Sequence, residues 1–261
     1  VDRPPAIALL GLGEAGGELA RDLVAAGADV RGYDPRVAAP PGVRPRDGEA
    51  AAVADADLVL SVNSAADAPV ALRNALPALR AGTVWADLNT AAPGVKRGLA
   101  AALAGRDVPV ADVALLSTVP GKGLRTPMLV SGDGAAAYAR VLAGLGVTVD
   151  VLDGPPGAAI SRKLLRSVFW KGVAAAVVEA MEGAEAAGVA DWLRADIGAE
   201  LDRFGAADVD ALVAGSHRHA RRRSAEMAAA AEQLRDLGVP PRVAGAARDQ
   251  LAALADPGCA G

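Results

Sequence analysis

The chain has 261 residues, a net charge of −4, 52% apolar residues and only 3% aromatic ones. That length fits one large domain or two of ordinary size. An acidic chain lacks the basic face that phosphate neutralisation needs, which excludes nucleic acid as the main partner. A single cysteine, Cys259, excludes an intrachain disulfide. No stretch of about 18 residues is apolar without Gly or charge, and the first apolar run is too short for a secretory signal. The expectation is an intracellular, cytoplasmic protein with no membrane span.

Residues 6–12 form a short continuous apolar run, as in a strand buried on both faces. An amphipathic stretch follows from about Glu14 to Ala26, stopped by Gly27. Asp29 to Tyr33 make a second strand, ending at Asp34-Pro35, and complete a βαβ unit. Further strands are predicted at 57–62, 83–88, 108–115, 128–131 and 147–152, with helices at 68–79, 93–104 and 135–143. After Asp153-Gly154-Pro155-Pro156-Gly157 the strand patterns cease. Helices are predicted at 158–187, at 190–204, as one or two within 209–237, and at 243–254. The fold class is therefore α/β: a doubly wound Rossmann-type domain over 1–154, then a smaller all-α domain over 155–261.

The turn Gly11-Leu12-Gly13-Glu14-Ala15-Gly16 spells G-x-G-x-x-G between a strand and a helix. Gly11 permits the tight turn, Gly13 lets backbone approach a pyrophosphate, and Gly16 lets helix and strand pack closely. The helix N-terminus offers N–H groups and a positive dipole end to the anion. Asp34 ends the second strand, where a carboxylate accepts hydrogen bonds from ribose hydroxyls and favours NAD. Arg36, two residues on, suits a 2′-phosphate and leaves NADP open. Asn63 and Thr90 follow strands at the carboxyl edge of the sheet and are read as cofactor contacts. Ser117 and Thr118 follow a later strand at that edge and are read as substrate contacts. No metal-ligand spacing occurs.

The run from Gly11 to Ala20 resembles the start of the β-hydroxyacid dehydrogenases, the family of 3-hydroxyisobutyrate and 6-phosphogluconate dehydrogenases. Asp87-Leu88-Asn89-Thr90-Ala91-Ala92-Pro93 resembles their D-x-[ST/N]-x-x-x-P loop, and Gly157 and Lys163 the start of their long interdomain helix. The family's substrate loop, D-A-P-V-S-G-G, stands here as Asp112 to Gly121, with a shifted Ser and no Gly-Gly pair. The Asn four residues after the family's lysine is here Ser167.

The resemblance implies an NAD(P)-dependent oxidoreductase of a small, acidic β-hydroxy acid, with Lys163 as general acid/base. An imine-reducing relative is the alternative within enzymes; that branch usually replaces the lysine. A non-catalytic dinucleotide-binding module is the third reading. Lysine occurs only at Lys96, Lys122, Lys163 and Lys171 in an Arg-rich chain, so a lysine here is enriched for roles that need a transferable proton. Lys163, Ser167 and Lys171 share a helix face; Ser167 would orient the substrate hydroxyl and Lys171 anchor substrate or cofactor. His217 is expected on the substrate side, on one helix face with Arg221. The resemblance also implies a homodimer built on the interdomain helix.

Overall fold

The computed structural model describes residues 3–256; Cys259 lies outside the described residues. The chain begins with β1 (Ala6–Leu10), α1 (Glu14–Ala25), β2 (Asp29–Tyr33), β3 (Arg44–Pro45), α2 (Glu49–Val53), β4 (Leu58–Ser61) and α3 (Ala68–Ala75). It continues with β5 (Val84–Asp87), α4 (Pro93–Leu103), β6 (Val110–Leu115), a short 3-10 turn at Gly123–Arg125, β7 (Met128–Ser131), α5 (Ala135–Gly144) and β8 (Asp150–Val151). Five helices follow: α6 (Ala158–Ala186), α7 (Ala190–Arg203), α8 (Ala206–Arg218), α9 (Ala220–Asp236) and α10 (Arg242–Ala255). The architecture is thus a Rossmann-type α/β domain followed by an all-α domain. Two compact units divide at Arg166/Ser167, within α6.

The first unit holds one eight-stranded sheet in the order β3-β2-β1-β4-β5-β6-β7-β8. Strand alternation distributes the core. Ile7 and Leu9 of β1 join Leu19 and Leu23 of α1 and Tyr138 and Leu142 of α5 on one face. Ala8 and Leu10 join Val53, Leu72, Leu99 and Leu103 of α2, α3 and α4 on the other. This is the period-two burial of a strand covered on both faces. The order reverses between β1 and β4, and such a switch point opens a crevice at the strands' carboxyl ends. β7 runs antiparallel to β6 because the intervening loop carries no crossover helix.

Three differences from the sequence expectations have local causes. The last strand shrinks to Asp150–Val151, because Val147 donates to Leu142 O and closes the end of α5. α3 stops at Ala75, ahead of Pro77, which has no N–H to continue the ladder. β3 and α2, of two and five residues, are too short to carry a periodic signal.

Tyr138 is fully buried, and its hydroxyl lies 3.3 Å from Met128 Sδ. Burial pushes the phenol's ionisation well above its ordinary value of about 10. Below about pH 10 both folded and unfolded phenols are protonated, and no pH dependence arises from this group. At higher pH the unfolded phenol ionises and the folded one does not, so stability falls as pH rises. Urea midpoints above about pH 10 are expected to drop more steeply in the wild type than in Tyr138→Phe.

In the second unit, α9 packs on α10. Glu179 of α6 accepts from the Val243 and Ala244 amides at 2.7 and 2.8 Å, which caps the first turn of α10. α7 and α8 bury no residue, and Trp192, Leu201, Leu212 and Val213 on them are exposed. The expected shared face of His217 and Arg221 does not exist. α8 ends at Arg218 and α9 starts at Ala220, with His219 between them outside both helices. Among the described residues, no helix is long and apolar enough to cross a membrane.

Candidate functional site

The Gly-rich turn is shaped by backbone contact. Gly11 adopts φ +95°, and a Cβ there would meet Val62 O at 2.4 Å. A Cβ on Gly16 would meet Gly11 O at 2.0 Å. A Cβ on Gly13 would meet nothing within 4 Å. The chain therefore needs glycine at 11 and 16 for its own packing, whereas the space beside Gly13 is open to a ligand. That open cradle at a helix N-terminus fits a dinucleotide pyrophosphate.

Two adjoining cavities flank the turn. One, of about 290 Å³, is lined by Gly11, Gly13, Asp34, Arg36, Asn63 and also Glu49. The other, of about 410 Å³, is lined by Gly13, Glu14, Ala15, Gly16, Asn63 and Thr90, with Asn89 added. Leu12 contributes differently: its side chain is in the core, and its amide donates to Asp34 Oδ2 at 2.8 Å. Asp34 Oδ1 accepts from the Arg36 and Val37 amides at 2.8 and 3.0 Å. Its carboxylate is thus fixed by the loop it ends. Asn63 Oδ1 accepts from Ser61 Oγ at 2.8 Å and Asn89 Nδ2 at 3.0 Å, which leaves the Asn63 amide NH2 to donate.

Lys163 lies one turn into α6. Its Nζ donates to Thr90 Oγ1 at 2.7 Å, which brings the ammonium to a residue lining the second cavity. Arg166, one turn further, donates to Leu116 O at 2.9 Å. Ser117 Oγ is 3.1 Å from Lys122 Nζ; Thr118 is exposed. Ser167, Lys171 and His217 belong to the second unit. There Ser167 is half-buried, while Lys171 and His217 are exposed. Arg221 pairs with Asp256 and Arg222 with Glu226, so much of the basic run is engaged locally.

Sequence reasoning missed a buried ionic cluster beneath this edge. Lys96, Asp87 and Asp112 are each 1% exposed or less. Lys96 Nζ donates to Asp87 O at 2.8 Å and lies 2.6 Å from Asp87 Oδ2 and 3.2 Å from Asp112 Oδ1. Asn89 Nδ2 lies 2.5 Å from Asp87 Oδ1. Removing one partner of a buried pair strands its counter-charge. Lys96→Met is expected to cost about 3–5 kcal/mol in urea unfolding. Among the described residues, no cluster of His, Cys, Asp and Glu is arranged to hold a metal.

Residues 6–148, more than half of the chain, match the model described as the NAD binding domain of 6-phosphogluconate dehydrogenase. The chain belongs to that family. Its first unit is accordingly an NAD(P)-binding Rossmann domain of the oxidoreductase superfamily. Residues 184–254 match a domain of unknown function (DUF1932). No curated protein matches the chain. Among solved structures, a conserved hypothetical protein from Sinorhizobium meliloti 1021 is 32% identical over 95% of this chain and 88% of that one, with a TM-score of 0.61. A conserved protein described as similar in structure to 3-hydroxyacid dehydrogenases is 24% identical, covering 95% of this chain and 97% of that one, with a TM-score of 0.61. An imine reductase from Myxococcus stipitatus, a variant in complex with NAD+, is 17% identical, covering 98% and 95%, with a TM-score of 0.79. At these lower identities the likeness is one of fold.

Proposed function

We propose that this NAD(P)-binding family member transfers a hydride between a nicotinamide and a carbon bonded to nitrogen or oxygen, with Lys163 handling the proton. The observation that carries this reading is the Lys163 Nζ–Thr90 Oγ1 hydrogen bond at 2.7 Å, beside the cavity that Gly13 opens. The bound nicotinamide would supply or accept the hydride. The chain's own residues do the rest. Gly13 leaves room for the pyrophosphate, Asn63 donates to the ligand, and Thr90 holds Nζ in place. The ammonium gives a proton to the heteroatom during reduction, and the amine takes one back during oxidation. Within the first unit, Ser117 and Thr118 are assigned to the substrate side. Asp34 and Glu49 set two carboxylates against Arg36 in the first cavity, which supports NAD over NADP.

Two substrate classes have separate support. The imine class is favoured by likeness across the whole chain, since the imine reductase has a TM-score of 0.79 against 0.61 for the relative likened to 3-hydroxyacid dehydrogenases. The β-hydroxy acid class is favoured by Lys163 and the Asp87–Pro93 loop. A panel of cyclic imines, amine–ketone pairs and 3-hydroxy acids, followed by absorbance of the reduced cofactor, separates them. Turnover of imines alone assigns the first class, and turnover of hydroxy acids alone the second. Binding of NAD and NADP without turnover on any member would leave a dinucleotide-binding module.

A homodimer is part of this proposal. Val168, Trp170, Trp192 and Val213 are more than half exposed, and α7 buries nothing within the chain. Isolated helices of this length are marginal in water, so a second copy is the natural cover. Light scattering at micromolar concentration is expected to give twice the chain mass; a monomer there removes the claim.

A further inference from the structure

The buried cluster under the sheet edge is tied to the start of the helix that carries Lys163. Asp112 uses its two oxygens on different partners. Oδ1 lies 3.2 Å from Lys96 Nζ. Oδ2 accepts from the Gly157 amide at 3.0 Å and the Ile160 amide at 3.1 Å. Ser131 Oγ, 3.3 Å from the same oxygen, accepts from the Ala159 amide at 3.0 Å. Two side chains from the sheet thereby take up three N–H groups at the start of α6, which otherwise have no helical partner. A carboxylate also suits the positive end of the helix dipole.

The geometry points to Asp112 as a positioning residue for Lys163, with Lys96 as the clamp that turns Asp112 toward the helix. Lys163 follows Ile160 by three residues, so the hydrogen bonds to Asp112 fix the turn from which Nζ reaches Thr90. Asp87 and Asp112 are paired neighbours on β5 and β6, and Thr90 follows β5. One buried lysine therefore couples the loop that carries Thr90 to the helix that carries Lys163. Gly157 completes the fit: it adopts φ +103°, and a Cβ there would press on Pro93 O at 3.1 Å, at the start of the helix bearing Lys96.

Asp112→Asn tests this with little change in shape. One lysine faces two carboxylates in the cluster, so losing one charge leaves Lys96 and Asp87 as a balanced pair. An amide, however, has one acceptor oxygen. Directed at Lys96, it turns its NH2 toward the Gly157 and Ile160 amides; directed at the helix, it turns its NH2 toward the ammonium. Either way one of the two functions of Asp112 is lost.

The inference rests on Lys163 as the proton-handling group, so the experiment has two arms on the full chain. The first measures kcat and dinucleotide affinity. The second measures the labelling rate of Lys163 by an amine-directed reagent, read by peptide mass spectrometry with Lys122 as internal reference. Asp112→Asn is expected to lower kcat by about tenfold to a hundredfold, as small misplacements of a reacting group do, with NAD(P) affinity within about twofold. Lys163 labelling is expected to change at least threefold relative to Lys122. Ser131→Ala removes the bond from the Ala159 amide and the longer one to Asp112 Oδ2 while keeping every charge; a labelling change in the same direction, smaller in size, is expected. An unchanged labelling rate, an unchanged kcat, or an affinity loss as large as the kcat loss in folded Asp112→Asn overturns the inference. If that variant does not fold, unchanged labelling in Ser131→Ala overturns it. If the wild type turns over no substrate, the functional reading fails by itself and the labelling arm still decides the positioning.

Discussion

Replacing Lys163 by alanine is expected to lower kcat by about 10²–10⁴-fold while NAD(P) affinity stays within about twofold. The size follows from the task. A positioned proton donor or acceptor contributes that range, and water does not occupy the same place with the same acidity. The separation of kcat from affinity follows from the geometry. Lys163 meets the second cavity through Thr90, whereas Asp34 and Arg36 line only the first, and the Gly-rich turn borders both. Lys163→Arg keeps the charge but not a readily transferred proton, and is expected to recover little activity. Steady-state kinetics with fluorescence titration of the reduced cofactor checks both quantities. Equal losses in kcat and affinity would instead mark Lys163 as a cofactor anchor.

Gly13→Val and Gly16→Ala are expected to fail in opposite ways. At Gly13 a Cβ would meet no atom within 4 Å, so a short branched side chain has room in the fold but intrudes on the space left for the ligand. The variant should unfold at nearly the wild-type urea concentration yet bind NAD(P) at least about tenfold more weakly, because the backbone must lie close to the pyrophosphate. At Gly16 a Cβ would sit 2.0 Å from Gly11 O, so the turn itself must move. A cost of about 1–3 kcal/mol in stability is expected, the usual range for forcing atoms into a packed site. Thermal or urea unfolding beside cofactor titration distinguishes the two. A stable Gly13→Val protein with wild-type affinity would place the dinucleotide elsewhere.

The parts of the fold that the sequence discloses are those fixed by neighbours in the chain. The turn from β1 into α1 combines a run of apolar residues, a glycine with forced φ and a helix start, all within eleven residues. The break at Asp153–Gly157 is equally local. His219 shows the limit. No Gly or Pro marks that point, so the sequence leaves one or two helices open over 209–237 without locating the break, and the four-residue spacing of His217 and Arg221 predicts a shared face where α8 ends at Arg218 and α9 begins at Ala220.

The buried cluster shows the limit more sharply. Lys96, Leu99 and Leu103 are spaced as one helix face, and a lysine within an apolar stripe is a readable sign of a buried charge. Its partners are not readable, because Asp87 and Asp112 reach it only once β5, β6 and α4 have packed. The hydrogen bonds from Gly157 and Ile160 to Asp112 span 45 and 48 residues, beyond any local pattern. Lys163 was legible through family resemblance, but its contact with Thr90 needed the fold: the two residues are 73 positions apart.

The most direct measurement of the proposed chemistry is label transfer from nicotinamide deuterated at C4. The wild type, given labelled NADH or NADPH with the panel of imines and oxo acids, is expected to place deuterium on the carbon bonded to nitrogen or oxygen in the product. Lys163→Ala, with the cofactor still bound, is expected to do so at least about a hundredfold more slowly. Cofactor binding with no label in any product, or equal transfer by the two proteins, would contradict the role given to the Gly13 cradle and to Lys163 in one reaction.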